Sequence, residues 1–273
     1  MQEDPIVIVG AARTPMGGFQ GALSALSAPE LGGHAIKAAL SRAGVAPEDV
    51  EDLIMGLCLF AGVKQAPARQ AAHNAGIPWS AGATTISKMC GSAMKATMLA
   101  HDNILAGSHD VMVAGGMESM TNAPYILPKA RAGYRLGHGD VAKDHMFIDG
   151  LEDAYDEGRL MGTFAEDCAE HYQFTREAQD DFAIESLNRA KTAVEDGTFA
   201  PEIEPITVTT HKGDIVVETD EQPHNANIEK IPQLKPAFRK GGTVTPANSS
   251  SISDGAAALV LMRRSEAEKR GLA

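Results

Sequence analysis

The 273-residue sequence has little cysteine, little tryptophan and a deficit of positive charge. Its three cysteines, Cys58, Cys90 and Cys168, are scattered with no Cys-x-x-Cys spacing, so neither a zinc site nor a disulfide framework is indicated and a reducing compartment fits best. Lys and Arg number 24 against 36 Asp and Glu, for a net charge of −12. Without a basic run to neutralise phosphates, a general nucleic-acid or anionic-membrane surface is excluded, although a local basic pocket for a phosphorylated cofactor is not. Long apolar runs are missing as well, and none approaches the roughly 20 residues that cross a bilayer. The opening Met1-Gln2-Glu3-Asp4-Pro5 is acidic, unlike the basic start of a signal peptide, so a cytoplasmic protein is expected. No Gly-x-Gly-x-x-Gly, phosphate-loop or His-Glu-x-x-His motif occurs, which argues against dinucleotide, nucleotide and zinc-protease readings. Most of the nine histidines lie in the loop-rich middle of the chain, where solvated histidine is the default and no metal is expected.

What is present is an ordinary globular composition, 44% hydrophobic and 22% charged, in a chain long enough for two domains or for one large domain with an insertion. The apolar, β-branched run at residues 6–10 reads as a short buried strand. A helix follows at 29–43, ended by Gly44. Residues 52–59 read as a strand, 67–75 as a helix, 84–89 as a strand running into Cys90, and the apolar stretch to about Leu105 as a helix. A further strand at 110–114 is ended by Gly115-Gly116. Strands alternating with helices in this way predict an α/β fold, a largely parallel sheet covered on both faces. From about 119 to 247 proline, glycine, histidine and charge become frequent, and the segment reads as an insertion holding one amphipathic helix at 175–196. The opening texture returns with a buried strand at 254–262 and a charged helix at 265–270.

Cys90 is the residue with the clearest chemistry. At a strand-to-helix junction, the first-turn N–H groups and the positive end of the helix dipole face the sulfur and favour an anion there. The small residues Gly91, Ser92 and Ala93 let a substrate carbonyl approach and leave amides to hold an oxyanion. Local spacing alone fits a buried core cysteine at a tight turn equally well.

The segment Ser87-Lys88-Met89-Cys90-Gly91-Ser92-Ala93-Met94-Lys95-Ala96 resembles the active-site cysteine segment of thiolases. Other matches follow in order: Ala11-Ala12-Arg13-Thr14-Pro15, Ala114-Gly115-Gly116-Met117-Glu118-Ser119-Met120, Met161-Gly162-Thr163, and Gly242-Thr243-Val244-Thr245 leading to Asn248-Ser249-Ser250 and Asp254-Gly255-Ala256-Ala257. The resemblance covers nearly the whole chain.

It implies a thiolase-like half-core, a five-stranded mixed sheet between helices, built from 1–118 plus 248–273, with a large CoA-binding loop domain inserted at 119–247. It makes Cys90 the nucleophile that takes an acyl group from an acyl-CoA, with acetyl-CoA the expected substrate, before a second acyl-CoA condenses with the acyl-enzyme to give a 3-oxoacyl-CoA, the chemistry of fatty acid metabolism. Coenzyme A enters as substrate and product, with no covalently bound cofactor. Leu151, Met161, Phe238, Ala247 and Ser250 become the candidate CoA contacts, although Leu151, Met161 and Phe238 are by residue type ordinary core positions. Members of the family continue for more than a hundred further residues carrying Asn-Glu-Ala-Phe, Gly-His-Pro and Cys-x-Gly-Gly-Gly motifs, none of which occurs in these 273. The chain as given is therefore expected to be inactive or only partly active, to expose an apolar face, and in full-length form to be a homodimer or homotetramer. The alternatives are a non-catalytic CoA-binding or assembly subunit needing a separate second half, and a 3-oxoacyl synthase using a malonyl donor.

Overall fold

The computed structural model describes residues 4–138, 141–211 and 213–272. The chain divides into two compact units. The first comprises Met1–Asn122, Phe199–Glu221 and Ser253–Ala273; the second comprises Ala123–Thr198 and Gln222–Ile252.

In the first unit the elements begin as the hydrophobic pattern dictates: β1 (Ile6–Arg13), β2 (Gly17–Gly18), α1 (Ala28–Ala43), β3 (Asp52–Gly56), α2 (Pro67–Asn74), β4 (Thr84–Ile86), α3 (Ser92–Leu105) and β5 (Val111–Ser119). A long strand, Ser253–Arg263, completes the sheet and leads into a short helix, Arg264–Lys269. The start of α1 is fixed by Ser27, whose N–H and hydroxyl donate to the Glu30 carboxylate, and its end by Gly44 at φ +66°, a conformation that costs glycine nothing.

The sheet runs β1, Ser253–Arg263, β5, β3, β4, with β2 added alongside the long strand. It is mixed. The strands β5, β3 and β4 are mutually parallel, whereas Ser253–Arg263 is antiparallel to both β1 and β5. The largely parallel sheet expected from alternation holds only for the β3–β5 stretch, because hydrophobic spacing reports the type of an element and not its direction.

Side chains alternate between two cores. Leu53, Met55, Val111, Val113, Val260 and Met262 face α1 and α2 in a large cluster. Ile54, Met112, Ala114 and Leu261 face Ala96, Ala100 and Ile104 of α3 in a smaller one. The outer side of α3 carries Met94, Met98 and Leu105, exposed by 67%, 49% and 58%, which is the apolar face the sequence leads one to expect.

Four strands differ from their sequence reading. The strand β1 is not buried: it lies at the sheet edge, and Ile8 is 54% exposed. β3 and β4 are shorter than predicted. β5 does not stop at Gly115-Gly116 but continues to Ser119, because the glycines admit close neighbours: a Cβ on Gly115 would lie 2.1 Å from the Ala257 carbonyl oxygen.

The segment Phe199–Glu221, which the sequence reading placed within the insertion, lies in the first unit as a hairpin of Ile206–Thr210 with Gly213–Val217. Ile206 and Val208 enter the larger core. Arg13 ties it down with a fork onto Asp220 (2.7 and 2.9 Å) and a bond to Glu202 (2.6 Å). Arg42 adds bonds to the carbonyls of Pro201 and Ile203.

The second unit is mainly helical. A π-helical turn, Phe147–Leu151, precedes α4 (Met161–His171) and α5 (Arg176–Glu195). The hydroxyl of Thr175 caps α5 by accepting the Ala178 N–H. Among the described residues no helix is long and apolar enough to cross a membrane.

Candidate active site

Cys90 sits at the outside of a tight turn between β4 and α3 and is exposed. The residue before it, Met89, has φ +49°, which costs a non-glycine residue roughly 1–2 kcal/mol. The strain is held by Ser92, buried at 4% exposure. Its hydroxyl accepts the Lys88 N–H (2.8 Å) and donates to the Met89 carbonyl (2.5 Å). The Gly91 and Ser92 amides close the same turn onto the Lys88 and Met89 carbonyls, at 3.1 and 3.0 Å. Those two amides are therefore committed to the turn, contrary to the expectation that they stay available for an oxyanion.

Two glycines set where the turn rests. Gly56 of β3 and Gly116 of β5 are register partners. A Cβ on Gly56 would come within 2.6 Å of the Ser92 carbonyl carbon and the Ala93 nitrogen, and one on Gly116 within 2.7 Å of the Ala93 Cβ. The first turn of α3 thus seats in a notch that only two paired glycines leave open.

Beneath the turn lies Cys58. Its N–H and that of Leu59 donate to the Glu118 carboxylate, at 2.8 and 3.3 Å. Burial first, and then the Glu118 charge, push the Cys58 thiol from 9.0 up to about 11, against a lowering hydrogen bond from Ser92. Cys58 is accordingly a protonated neighbour at neutral pH. Gly56 was not singled out from sequence and Glu118 appeared only within a resemblance segment, while Ser92 was read for its small size and Gly116 as the end of a strand, neither for the part it plays in seating the turn.

The candidate CoA contacts all fall in the second unit. An antiparallel bridge between Glu152 and Leu160 sets their neighbours Leu151 and Met161 opposite one another. Leu151 is half-buried and Met161 is 46% exposed. The Phe238 ring lies on the glycine after Met161, since a Cβ on Gly162 would be 2.4 Å from ring carbons. Leu151 and Phe238 thus both lie beside the Met161–Gly162 step.

Ala247 and Ser250 lie on a separate loop. The Ala247 N–H donates to the Thr245 hydroxyl, and the neighbouring Asn248 amide reaches Asp180 and the Thr243 carbonyl at 3.1 Å each. The buried Glu166 carboxylate accepts the Thr243 and Val244 N–H groups, bracing the approach to that loop. Cys168 is exposed on α4. No group of three or more His, Cys, Asp or Glu side chains among the described residues is placed to hold a metal.

A mixed sheet that seats a helix N-terminus in a glycine notch, with an exposed cysteine on the turn before it, defines an α/β protein with a free cysteine at a strand-to-helix junction. The chain belongs to the thiolase family: the family model described as thiolase, N-terminal domain, matches residues 6–265. It is 49% identical over 269 residues to an acetyl-CoA acetyltransferase of Cupriavidus necator, covering 98% of this chain and 68% of that protein. It is 51% identical over 270 residues to acetyl-CoA acetyltransferase 2 of Arabidopsis thaliana, covering 98% and 66%. A solved structure of acetyl-CoA acetyltransferase from Syntrophomonas wolfei superposes with a TM-score of 0.93 at 41% identity, over 99% of this chain and 67% of that one. The chain thus spans about two thirds of the length of these relatives.

Proposed function

We propose that the chain is the nucleophile-bearing part of a thiolase that takes an acyl group, in the simplest case acetyl, from its CoA thioester onto Cys90. The observation that carries this is the exposed Cys90 at the head of α3, on a strained turn fixed by Ser92 and the Gly56–Gly116 notch. The sulfur attacks the thioester carbonyl, forming a carbon–sulfur bond. The bond to the CoA sulfur then breaks, and the proton that left the Cys90 thiol ends on the departing CoA. Leu151, Met161, Phe238, Ala247 and Ser250 are proposed to hold CoA, and the unit that carries them to serve as the CoA-binding part. The resemblance to acetyl-CoA acetyltransferases at 46–51% identity supports acetyl as the group transferred.

The test is intact-mass and peptide analysis after incubation with acetyl-CoA. An acetyl group on Cys90 supports the assignment, and labelling at Cys58 or Cys168 instead refutes it. Turnover is a separate matter: the histidine and second cysteine that the family resemblance supplies for activation and proton removal have no counterpart motif in these 273 residues. Loss of such a base typically lowers rate by orders of magnitude, so little or no acetoacetyl-CoA cleavage is expected from this chain alone. Robust cleavage would overturn that part.

A further inference from the structure

The second unit buries charge where helices ordinarily bury apolar side chains. The buried residues of α4 are Glu166 and Ala169, and that of the 20-residue α5 is Asp180. Glu166 and Asp180 are 3% and 4% exposed. Taking a carboxylate out of water is costly, and well-packed apolar residues of similar volume often serve stability as well or better. Two such groups on consecutive helices call for a purpose other than stability.

Both are spent on one segment. Residues 242–250 form neither helix nor strand, so side chains must set their shape. From α4, the Glu166 carboxylate accepts the Thr243 N–H at 3.0 and 2.9 Å, the Val244 N–H at 2.9 Å and the Thr243 hydroxyl at 3.2 Å. Gly242 closes over it, since a Cβ there would lie 2.2 Å from the same carboxylate. From α5, Asp180 accepts the Arg176 Nε–H at 2.7 Å with one oxygen and Nδ2 of Asn248 at 3.1 Å with the other. Asn248 in turn donates to the Thr243 carbonyl and accepts the Thr245 N–H at 2.7 Å. The segment is thus pinned at 243–244 and again at 248. Ala247 lies between the two posts, and the exposed Ser250 lies two residues beyond the second.

We propose, on the premise stated above that Ala247 and Ser250 contact CoA, that Glu166 and Asp180 are positioning residues for the CoA thioester. Without touching it, they hold the two contacts in the one arrangement that binds it. Charge and positioning act here in opposite directions. CoA is a polyanion, so loss of a carboxylate would by charge alone tighten its binding. A segment freed from its posts must instead be ordered as the ligand binds, which weakens it.

The test measures the rate of Cys90 acetylation in the 273-residue chain by mass spectrometry, as a function of acetyl-CoA concentration. Glu166→Gln and Asp180→Asn keep side-chain size but set an amide NH2 where a carboxylate oxygen accepted. Each should raise the concentration that gives half the limiting rate by about tenfold, the worth of one hydrogen bond to a charged group. The limiting rate should stay near that of the parent, whereas a damaged fold would lower the fraction of chain acetylated at saturation. Adding Asn248→Asp to Asp180→Asn reverses donor and acceptor in that pair and should restore part of the affinity. Glu185→Gln, at an exposed carboxylate on the same helix, should not weaken binding. Half-saturation unchanged or lowered in Glu166→Gln and Asp180→Asn, with a parent that saturates, would overturn the proposal and leave the reading of Cys90 intact. Weakening by Glu185→Gln equal to theirs would overturn it too. A parent chain that takes no acetyl on Cys90 at any concentration would sink both.

Discussion

The seat of the Cys90 turn makes a prediction sharp enough to fail. Replacing Gly116 by alanine puts a methyl 2.7 Å from the Ala93 Cβ, while every other atom near it is 3.6 Å or farther. Overpacking of this kind costs about 1–3 kcal/mol. Removing the obstructing methyl with Ala93→Gly costs about 1 kcal/mol by itself, as glycine does within a helix. If the two acted independently the double variant would lose about 2–4 kcal/mol. The notch argument says otherwise: with Ala93 reduced to glycine the new methyl has room, so the double variant should fall close to Ala93→Gly alone, a coupling of about 1–3 kcal/mol.

Gly56 provides the contrast. Its added Cβ would meet backbone atoms, the Ser92 carbonyl carbon and the Ala93 nitrogen at 2.6 Å, so Ala93→Gly should rescue Gly56→Ala little or not at all. Urea midpoints of the five proteins read the stabilities, and the rate of iodoacetamide labelling at Cys90 reads the position of the turn. Additive losses in the Gly116 and Ala93 pair, or equal rescue of Gly56→Ala, would refute the idea that the helix seats in a glycine notch.

Ser92→Ala should cost about 1–3 kcal/mol through loss of two hydrogen bonds at a buried hydroxyl, with a slower transfer of acetyl to Cys90, read by thermal melts and by mass spectrometry. Cys58 keeps its proton in the folded chain until about pH 11 but loses it near 9.0 when unfolded. Its contribution to stability is therefore complete below pH 9 and declines as pH rises toward 11, so the urea midpoint should fall across that window and Cys58→Ala should flatten the fall. Arg13→Met strands the Asp220 carboxylate, 6% exposed, with the Met16 N–H as its other bond. A loss of about 3–5 kcal/mol is expected, and adding Asp220→Asn should recover part of it in the same unfolding assay.

Much of the fold was legible because local rules agreed with one another. Gly44 marked the end of α1, the amphipathic period found α5 from Thr175 on, and the apolar runs found the central strands. The failures have a common physical origin in contacts distant in sequence. Nothing near residue 6 says that β1 pairs at a sheet edge with a strand some 250 residues away. Gly115 and Gly116 look like a strand terminator until the Ala257 carbonyl and the Ala93 methyl are placed against them. The same holds for the site. The chemistry of Cys90 could be read from a helix start, but the hydroxyl that braces it and the carboxylate that anchors the strand end beside it acquire meaning only when β3, β5 and α3 meet.

The outer side of α3 leads to a last prediction. Met94, Met98 and Leu105 lie four, then seven residues apart, which sets them along one stripe of the helix. All three are close to half exposed or more, while Ala96, Ala100 and Ile104 on the opposite side are fully buried. An apolar stripe on a helix whose inner face is already packed gains nothing in the isolated chain and favours association between copies. Met94→Lys together with Met98→Glu should therefore shift the chain toward the monomer in sedimentation velocity at a given concentration. It should change stability by no more than about 0.5 kcal/mol, as exposed substitutions do. The two substitutions leave the net charge at its present value, so a general gain in repulsion cannot explain such a shift. A variant that associates as strongly as the parent would mean that self-association, where it occurs, is driven by another surface.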